Sequence, residues 1–295
     1  MSIKIGTASW TDTTLIQCGR FYPAGCSTSE DRLRFYASQF PLVEVDSSYY
    51  AIPSAPTAAL WNTRTPPDFT FDIKAFRLFT GHQTEPKCLP KDLQTELPKT
   101  DAKYLYYRDV PAAVVDELWR RFFEVIEPLH AAGKLGAVLF QFAPWITSAP
   151  RERAHLEDCA DHMRLYPTAF EFRNRSWLDE AHWEATLAFE RAHGLVHVVM
   201  DAPNGVRTRA STVWETTSPD LAIVRLHGRN AETWAGSASA AERFNYDYSE
   251  TELTEVATPI RALAQRAAQV HVIFNNCYED LAQRNAAALS RMLSD

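Results

Sequence analysis

Leu221-Ala222-Ile223-Val224-Arg225-Leu226-His227 is the stretch on which the fold turns. Its apolar, β-branched character is that of a buried strand. Side chains on a strand alternate between faces, so Val224 and Leu226 share one face and Arg225 and His227 the other. The same division recurs elsewhere. Val43 and Val45 oppose Glu44 and Asp46, Phe71 and Ile73 oppose Asp72 and Lys74, and Phe170 and Phe172 oppose Glu171 and Arg173. The apolar faces must pack on helices, which leaves the polar faces turned into an enclosed space.

Working outward, eight strand-like runs occupy 3–9, 42–46, 70–75, 136–142, 168–172, 195–201, 221–227 and 270–275. Helical signals lie between them. Val114, Val115, Leu118, Trp119, Phe122, Val125, Ile126 and Leu129 repeat at helical spacing, with Pro111 at the start. Ser27 with Glu30, and Ser249 with Glu252, have the spacing of capping boxes. Strict alternation of strand and helix demands parallel strands joined by right-handed crossovers. Eight such units in 295 residues predict one (β/α)₈ (TIM) barrel domain over 1–295, a doubly wound sheet being the alternative. Long connections follow three strands, over 76–110, after Asp201, and over 227–249. All leave the C-terminal barrel face, where functional loops belong. The third holds Trp234, Phe244, Tyr246 and Tyr248, which either form a lid or pack the loop down.

Composition narrows the function. A net charge of −7 opposes a bulk electrostatic coat on nucleic acid or anionic membrane. No apolar run approaches the ~20 residues of a membrane span, and the N-terminus lacks a signal-peptide core. Five cysteines without C-x-x-C spacing fit a reducing compartment, so the expected location is the cytoplasm. P-loop, G-x-G-x-x-G, H-E-x-x-H and G-x-S-x-G motifs are absent.

Period two extends the polar interior to Gln141, to His197 and Asp201, and to His271 and Asn275. Barrel interiors normally fill with branched aliphatics, and unpaired buried charge costs several kcal/mol. Asp72, His197 and His271, toward the N-terminal end, are expected to pair or meet solvent. The groups at the C-terminal end are expected to form a site.

With these residues placed, the chain resembles a known family. Gly6-Thr7-Ala8-Ser9-Trp10, Phe21-Tyr22-Pro23, Val43-Glu44-Val45-Asp46-Ser47-Ser48-Tyr49-Tyr50 and Thr65-Pro66-Pro67 carry the first half of the likeness. Phe71-Asp72-Ile73-Lys74, Leu139-Phe140-Gln141-Phe142, Glu171-Phe172-Arg173 with Ser176-Trp177, Arg225-Leu226-His227-Gly228-Arg229 and Phe274-Asn275-Asn276 complete it. The pattern is similar to that of the domain-of-unknown-function 72 (YecE-like) family. The resemblance implies a barrel and no settled activity. A nuclease role for the family rests on fold analogy with endonuclease IV-type barrels. Ala8, Thr11-Asp12-Thr13-Thr14 and the 76–110 segment depart from the family's commonest form.

Three functions compete. In the first, an enzyme or binder takes a small phosphorylated or carboxylated molecule. Lys74, Arg77, Arg173, Arg175, Arg225 and Arg229 lie at or beyond strand ends, and guanidinium forks suit such anions. Glu171, His227, Lys74 and Asp46 are then the candidate catalytic groups. Arg173, Arg225, Arg229, Gln141, Asn275, Trp10 and Tyr49 are the candidate ligand contacts. The bland counterpart is that Glu44, Asp46, Glu171 and Asp201 merely neutralise the cations. The second function is a divalent-metal site, Mg²⁺ or Mn²⁺, on Glu171, Asp201 and His227; Asn275 on the next strand is a poor fourth ligand. No other cofactor is expected. The third is nucleic-acid binding or endonuclease-like phosphodiester cleavage, with Trp10, Tyr49, Tyr50, Trp177 and Trp234 as stacking platforms.

Overall fold

The structure is a computed structural model that describes residues 2–98, 102–203, 210–234, 242 and 244–294. Eight strands, β1 (Ser2–Ala8), β2 (Leu42–Val45), β3 (Thr70–Lys74), β4 (Leu135–Gln141), β5 (Thr168–Glu171), β6 (Val196–Asp201), β7 (Leu221–Leu226) and β8 (Gln269–Phe274), pair in sequence order. All pairings are parallel, and β8 closes on β1, so the sheet is the expected TIM barrel. The principal outer helices are Ser29–Gln39, Ala55–Thr63, Ala112–Ala131, Pro150–Met163, Trp183–Ala192, Glu250–Ala264 and Leu281–Ser294. No described helix is long and apolar enough to cross a membrane.

Two apolar cores result. One lies between barrel and helices and takes in Val43, Val45, Phe71, Ile73, Phe170, Phe172, Val224 and Leu226, the faces assigned to it from sequence. The other is a small plug inside the barrel, including Leu42, Leu139, Ala169, Val198 and Ile223. Leu42, Leu139, Ala169 and Ile223 each stand two residues before Glu44, Gln141, Glu171 and Arg225 on their strands. The polar layer therefore rests on an apolar floor. A β-carbon on Gly6 would fall 1.9 Å from the Leu42 carbonyl oxygen, so β1 and β2 lie closely together only because residue 6 has no side chain.

The phase of β6 corrects the sequence-based expectation. Val196 and Val198 point inward, so His197 and Asp201 face out of the barrel. His197 Nδ1 lies 3.0 Å from Glu190 Oε2 on the helix Trp183–Ala192, both groups being buried. Apart from His197, the run Val196–Met200 is apolar on both faces, which weakens the alternation that fixes a strand's phase. Asp72 and His271 do meet inside the barrel, with His271 Nδ1 3.1 Å from both carboxylate oxygens. Gly136 makes room for them, since a β-carbon there would lie 2.3 Å from Asp72 Oδ1.

Of the two expected capping boxes, Ser249 with Glu252 is present, while the first shifts by one residue to Thr28 with Asp31. The 76–110 connection is packed down by its own aromatics: Phe79 stacks on Trp119 at 3.8 Å. In the connection after His227, Tyr248 is buried against Phe274, as in the packed-loop reading. The Trp234 side chain lies outside the described residues, as do 204–209 in the connection after Asp201.

Candidate functional site

Arg225 is the centre of the polar layer and is 0% exposed. Its Nε and Nη2 donate to Glu44 Oε2 and Oε1 at 2.8 and 2.6 Å, a two-pronged pair across the barrel. Nη1 donates to Glu171 Oε2 at 2.5 Å and to Gln141 Oε1 at 3.2 Å. The expectation that Arg225 offers its fork to a ligand is thereby corrected. Its donors are engaged by strands two, four and five, and it lies beneath the mouth.

Above this hub stand His227, Asn275 and Arg173. Asn275 Nδ2 lies 2.8 Å from His227 Nδ1, while His227 Nε2 lies 3.3 Å from Arg173 Nη2 and 3.5 Å from Glu171 Oε2. Arg173 Nη2 donates to Gln141 Oε1 at 3.0 Å, and its Nε forms a 2.5 Å ion pair with Glu171 Oε1. Burial opposes ionisation of Glu171, yet Arg173 and Arg225 outweigh it and hold the carboxyl well below its ordinary range. Glu44 moves the other way, because complete burial outweighs the help of Arg225 and Lys74. Burial, then the charge of Arg173, keeps His227 neutral, with its pKa lowered to about 3.

The outer wall of the mouth belongs to β2, β3 and the connection after β3. Lys74 Nζ donates to Asp46 Oδ1 at 2.7 Å and lies 4.6 Å from the centre of the Tyr49 ring. Arg77 approaches the same ring at 5.3 Å. Its Nε is buried without a hydrogen-bond partner among the described residues, and it forms no ion pair among them. Beside these cations sits His82, bonded through Nδ1 to Thr80 Oγ1 at 2.9 Å and edge-on to Tyr49. Burial lowers the pKa of His82 to about 3, aided by Lys74, Arg77 and Arg173. His82 was invisible to strand periodicity because it lies in a connection. A chain-wide search for histidine near lysine and arginine would have singled it out.

Other expected site residues lie apart. Asp201 accepts from Arg229 at 3.1 to 3.2 Å and from the Tyr248 hydroxyl at 2.7 Å. Arg229 also pairs with Glu255 and Glu252. Asp201 and Arg229 thus form a separate cluster on the outer side of β6 and β7, away from Arg225. Among the described residues no three acidic, histidine or cysteine side chains are grouped as a metal would need, and Asp201 does not join Glu171 and His227. Trp10 is buried edge-on against Trp61, beside a cavity whose lining also includes Asp46. Trp177 is also buried, stacked on Phe172, and so presents no face for a base.

A family model described as "Protein of unknown function DUF72" matches residues 4–295. The chain belongs to the DUF72 family. This DUF72 chain is 34% identical over 278 residues to the UPF0759 protein YunF of Bacillus subtilis, covering 93% of itself and 88% of YunF. A DUF72 family protein (TM1631) from Thermotoga maritima superposes with a TM-score of 0.79 at 30% identity, over 100% of both chains. Another (EF0366), from Enterococcus faecalis, gives 0.76 at 25% identity, over 100% of this chain and 98% of that one.

Proposed function

We propose that this DUF72 barrel takes a small phosphorylated or carboxylated molecule at its mouth, held by Lys74, Arg77 and Arg173. Arg77 carries the reading. Its guanidinium lines the mouth with no carboxylate partner among the described residues, although an unpaired, half-buried charge is costly. An anion supplies the missing partner, and guanidinium forks match phosphate and carboxylate geometry. Neutral His82 and neutral His227 border the site without adding positive charge.

In this reading the interior groups have distinct roles. Glu171, stabilised as an anion by two guanidiniums, is a weak base that fixes Arg173 rather than taking substrate protons. His227, neutral and set among Asn275, Arg173 and Glu171, is the candidate proton-transfer group at bound ligand. Arg225 and Glu44 hold the frame.

The test is thermal-shift and calorimetric titration of the protein with inorganic phosphate, phosphorylated metabolites and carboxylates. Arg77→Gln and Arg173→Gln are measured beside the parent. Stabilisation of the parent by an anion, reduced about tenfold in affinity or more by either substitution, is expected, one charged hydrogen bond being worth about 1.5–3 kcal/mol. Absence of any anion effect, or equal effects in all three proteins, sinks the reading. Binding confined to single-stranded oligonucleotide would instead favour the nucleic-acid alternative.

A further inference from the structure

A buried lysine that serves only the fold spends its ammonium protons, as Lys134 does. Lys134 is 4% exposed, and its Nζ donates to the carbonyl oxygens of Asn62 and Thr65 and to the Thr65 hydroxyl at 2.7, 2.9 and 3.0 Å. Lys74, at the mouth end of β3, is 7% exposed and differs. Its Nζ makes one hydrogen bond among the described residues, to Asp46 Oδ1 at 2.7 Å. The Tyr49 ring faces the charge at 4.6 Å but accepts no conventional hydrogen bond. Structure alone thus accounts for one of the three protons an ammonium offers. The Asp46 side chain is 26% exposed, so its carboxylate touches Lys74 and still meets whatever enters the mouth.

Gln141 adds a second unspent donor. Its Oε1 accepts from Arg173 Nη2 at 3.0 Å and from Arg225 Nη1 at 3.2 Å. Guanidinium groups only donate, so the amide is held with its oxygen toward them and its NH₂ turned away. That NH₂ makes no hydrogen bond among the described residues and is not closed off by them, Gln141 being half-buried at the end of β4. With Lys74 and Arg77, the mouth offers a ligand mainly donors. A hydroxyl group brings a proton of its own to such a place, whereas a carbonyl or carboxylate oxygen brings only lone pairs. The lysine then singles out the carbonyl, whose carbon is the electrophile that an amine attacks.

We infer that the mouth takes an anion bearing a carbonyl group, an α-oxo acid or a phosphorylated ketone or aldehyde, and that Lys74 joins its carbonyl carbon as an imine. The inference rests on the anion reading of the mouth, which holds the charged end, and adds the reactive group beside it. Asp46 takes one ammonium proton, which frees the nitrogen lone pair. Nitrogen bonds to the carbonyl carbon as the C=O π pair moves to oxygen, and Asp46 returns the proton to that oxygen. A second proton crosses from nitrogen to oxygen by the same carboxylate, the C–O bond breaks, and water leaves. The third proton stays on the iminium, so atoms and charge balance with no oxidant or reductant. The Gln141 NH₂ donates to the carbonyl oxygen until it departs.

Reductive trapping on the full chain tests this. Pyruvate and dihydroxyacetone phosphate are incubated with the protein and cyanoborohydride, beside lactate and glycerol phosphate as matched anions without a carbonyl. At least one carbonyl compound is expected to add its own mass less one oxygen atom, and the arm that reacts tells an oxo acid from a phosphorylated ketone. Peptide mapping is expected to place the adduct on Lys74 and not on exposed Lys87. Lys74→Arg, which keeps the charge and the Asp46 partner, is expected to lose it completely. If Lys74→Arg fails to fold by circular dichroism, Asp46→Asn takes its place and is expected to slow labelling of Lys74. No adduct, an adduct spread evenly over exposed lysines, or one indifferent to these substitutions overturns the imine. Thermal shifts with lactate and glycerol phosphate report the anion site separately. Stabilisation without an adduct leaves that site standing and removes the imine. An adduct on Lys74 without stabilisation by any anion overturns the mouth reading and keeps the imine.

Discussion

Arg225 is fully buried with Glu44, Gln141 and Glu171 around it, so its charge is tied to theirs. Replacing it by Met removes the partner of both Glu44 and Glu171 and should destabilise the protein by about 3–5 kcal/mol in urea unfolding. The histidines give a second prediction at this scale. His82 and His227 have folded pKa values of about 3, below the ordinary value of 6.5. Below pH ~6.5 the unfolded chain therefore binds protons that the folded chain refuses. Stability should be full above pH ~6.5 and should fall as pH drops toward about 3, by at most about 1.4 kcal/mol per pH unit for each histidine. Glu171 adds a loss that begins only below its unfolded pKa of ~4.3, because its folded carboxyl is held lower still. His227→Gln should flatten the pH 4–6.5 part of the curve, and Glu171→Gln the part below 4.3. A pH series of denaturant midpoints that is unchanged in His227→Gln would show that this imidazole is not held neutral.

Among the elements, β6 shows where sequence and structure part. Eight strands, their order and the outward apolar faces of β2, β3, β5 and β7 were legible because alternation is explicit in those runs. So were Lys74, Gln141, Glu171, Arg173, Arg225 and His227 on the inner face. β6 lacked that signal, and the buried partner that draws His197 outward, Glu190, sits on a helix whose facing is a tertiary matter. Arg77 was legible as a cation just beyond a strand end, but His82 and the packing around Arg77 depend on how loops settle on the barrel, which strand periodicity does not encode. The His197–Glu190 pair itself supports a prediction. Glu190→Met alone leaves a buried imidazole without its partner and should cost about 1–3 kcal/mol. The double substitution Glu190→Met with His197→Leu should restore the parent's stability to within about 1 kcal/mol, since apolar replacement of a buried pair is often neutral. A double variant no better than the single one would mean that the pair contributes more than its own desolvation. At the β1–β2 crossing, Gly6→Ala drives a methyl into the Leu42 carbonyl. It should yield insoluble protein or lose more than the ~1–3 kcal/mol usual for overpacking.

For the molecule as a whole, the interior is divided by height: an apolar plug, then the Arg225 layer, then the mouth. The plug should behave as a core in its own right, so Ile223→Ala is expected to cost about 2–5 kcal/mol while leaving the anion binding proposed for the mouth intact. Parallel loss of binding would show that the floor also shapes the site. The family likeness was legible from end to end, since its motifs are the strand ends that build these layers. The ligand was not, because a mouth lined with cations describes a charge and not the molecule that carries it.

The plug has one more consequence. Leu42, Leu139, Ala169, Val198 and Ile223 seal the barrel beneath the Arg225 layer, so the well is blind. Whatever enters past Lys74 and Arg77 has to back out through the same opening. A substitution that only narrows this lip must slow arrival and departure by the same factor and leave the equilibrium where it was.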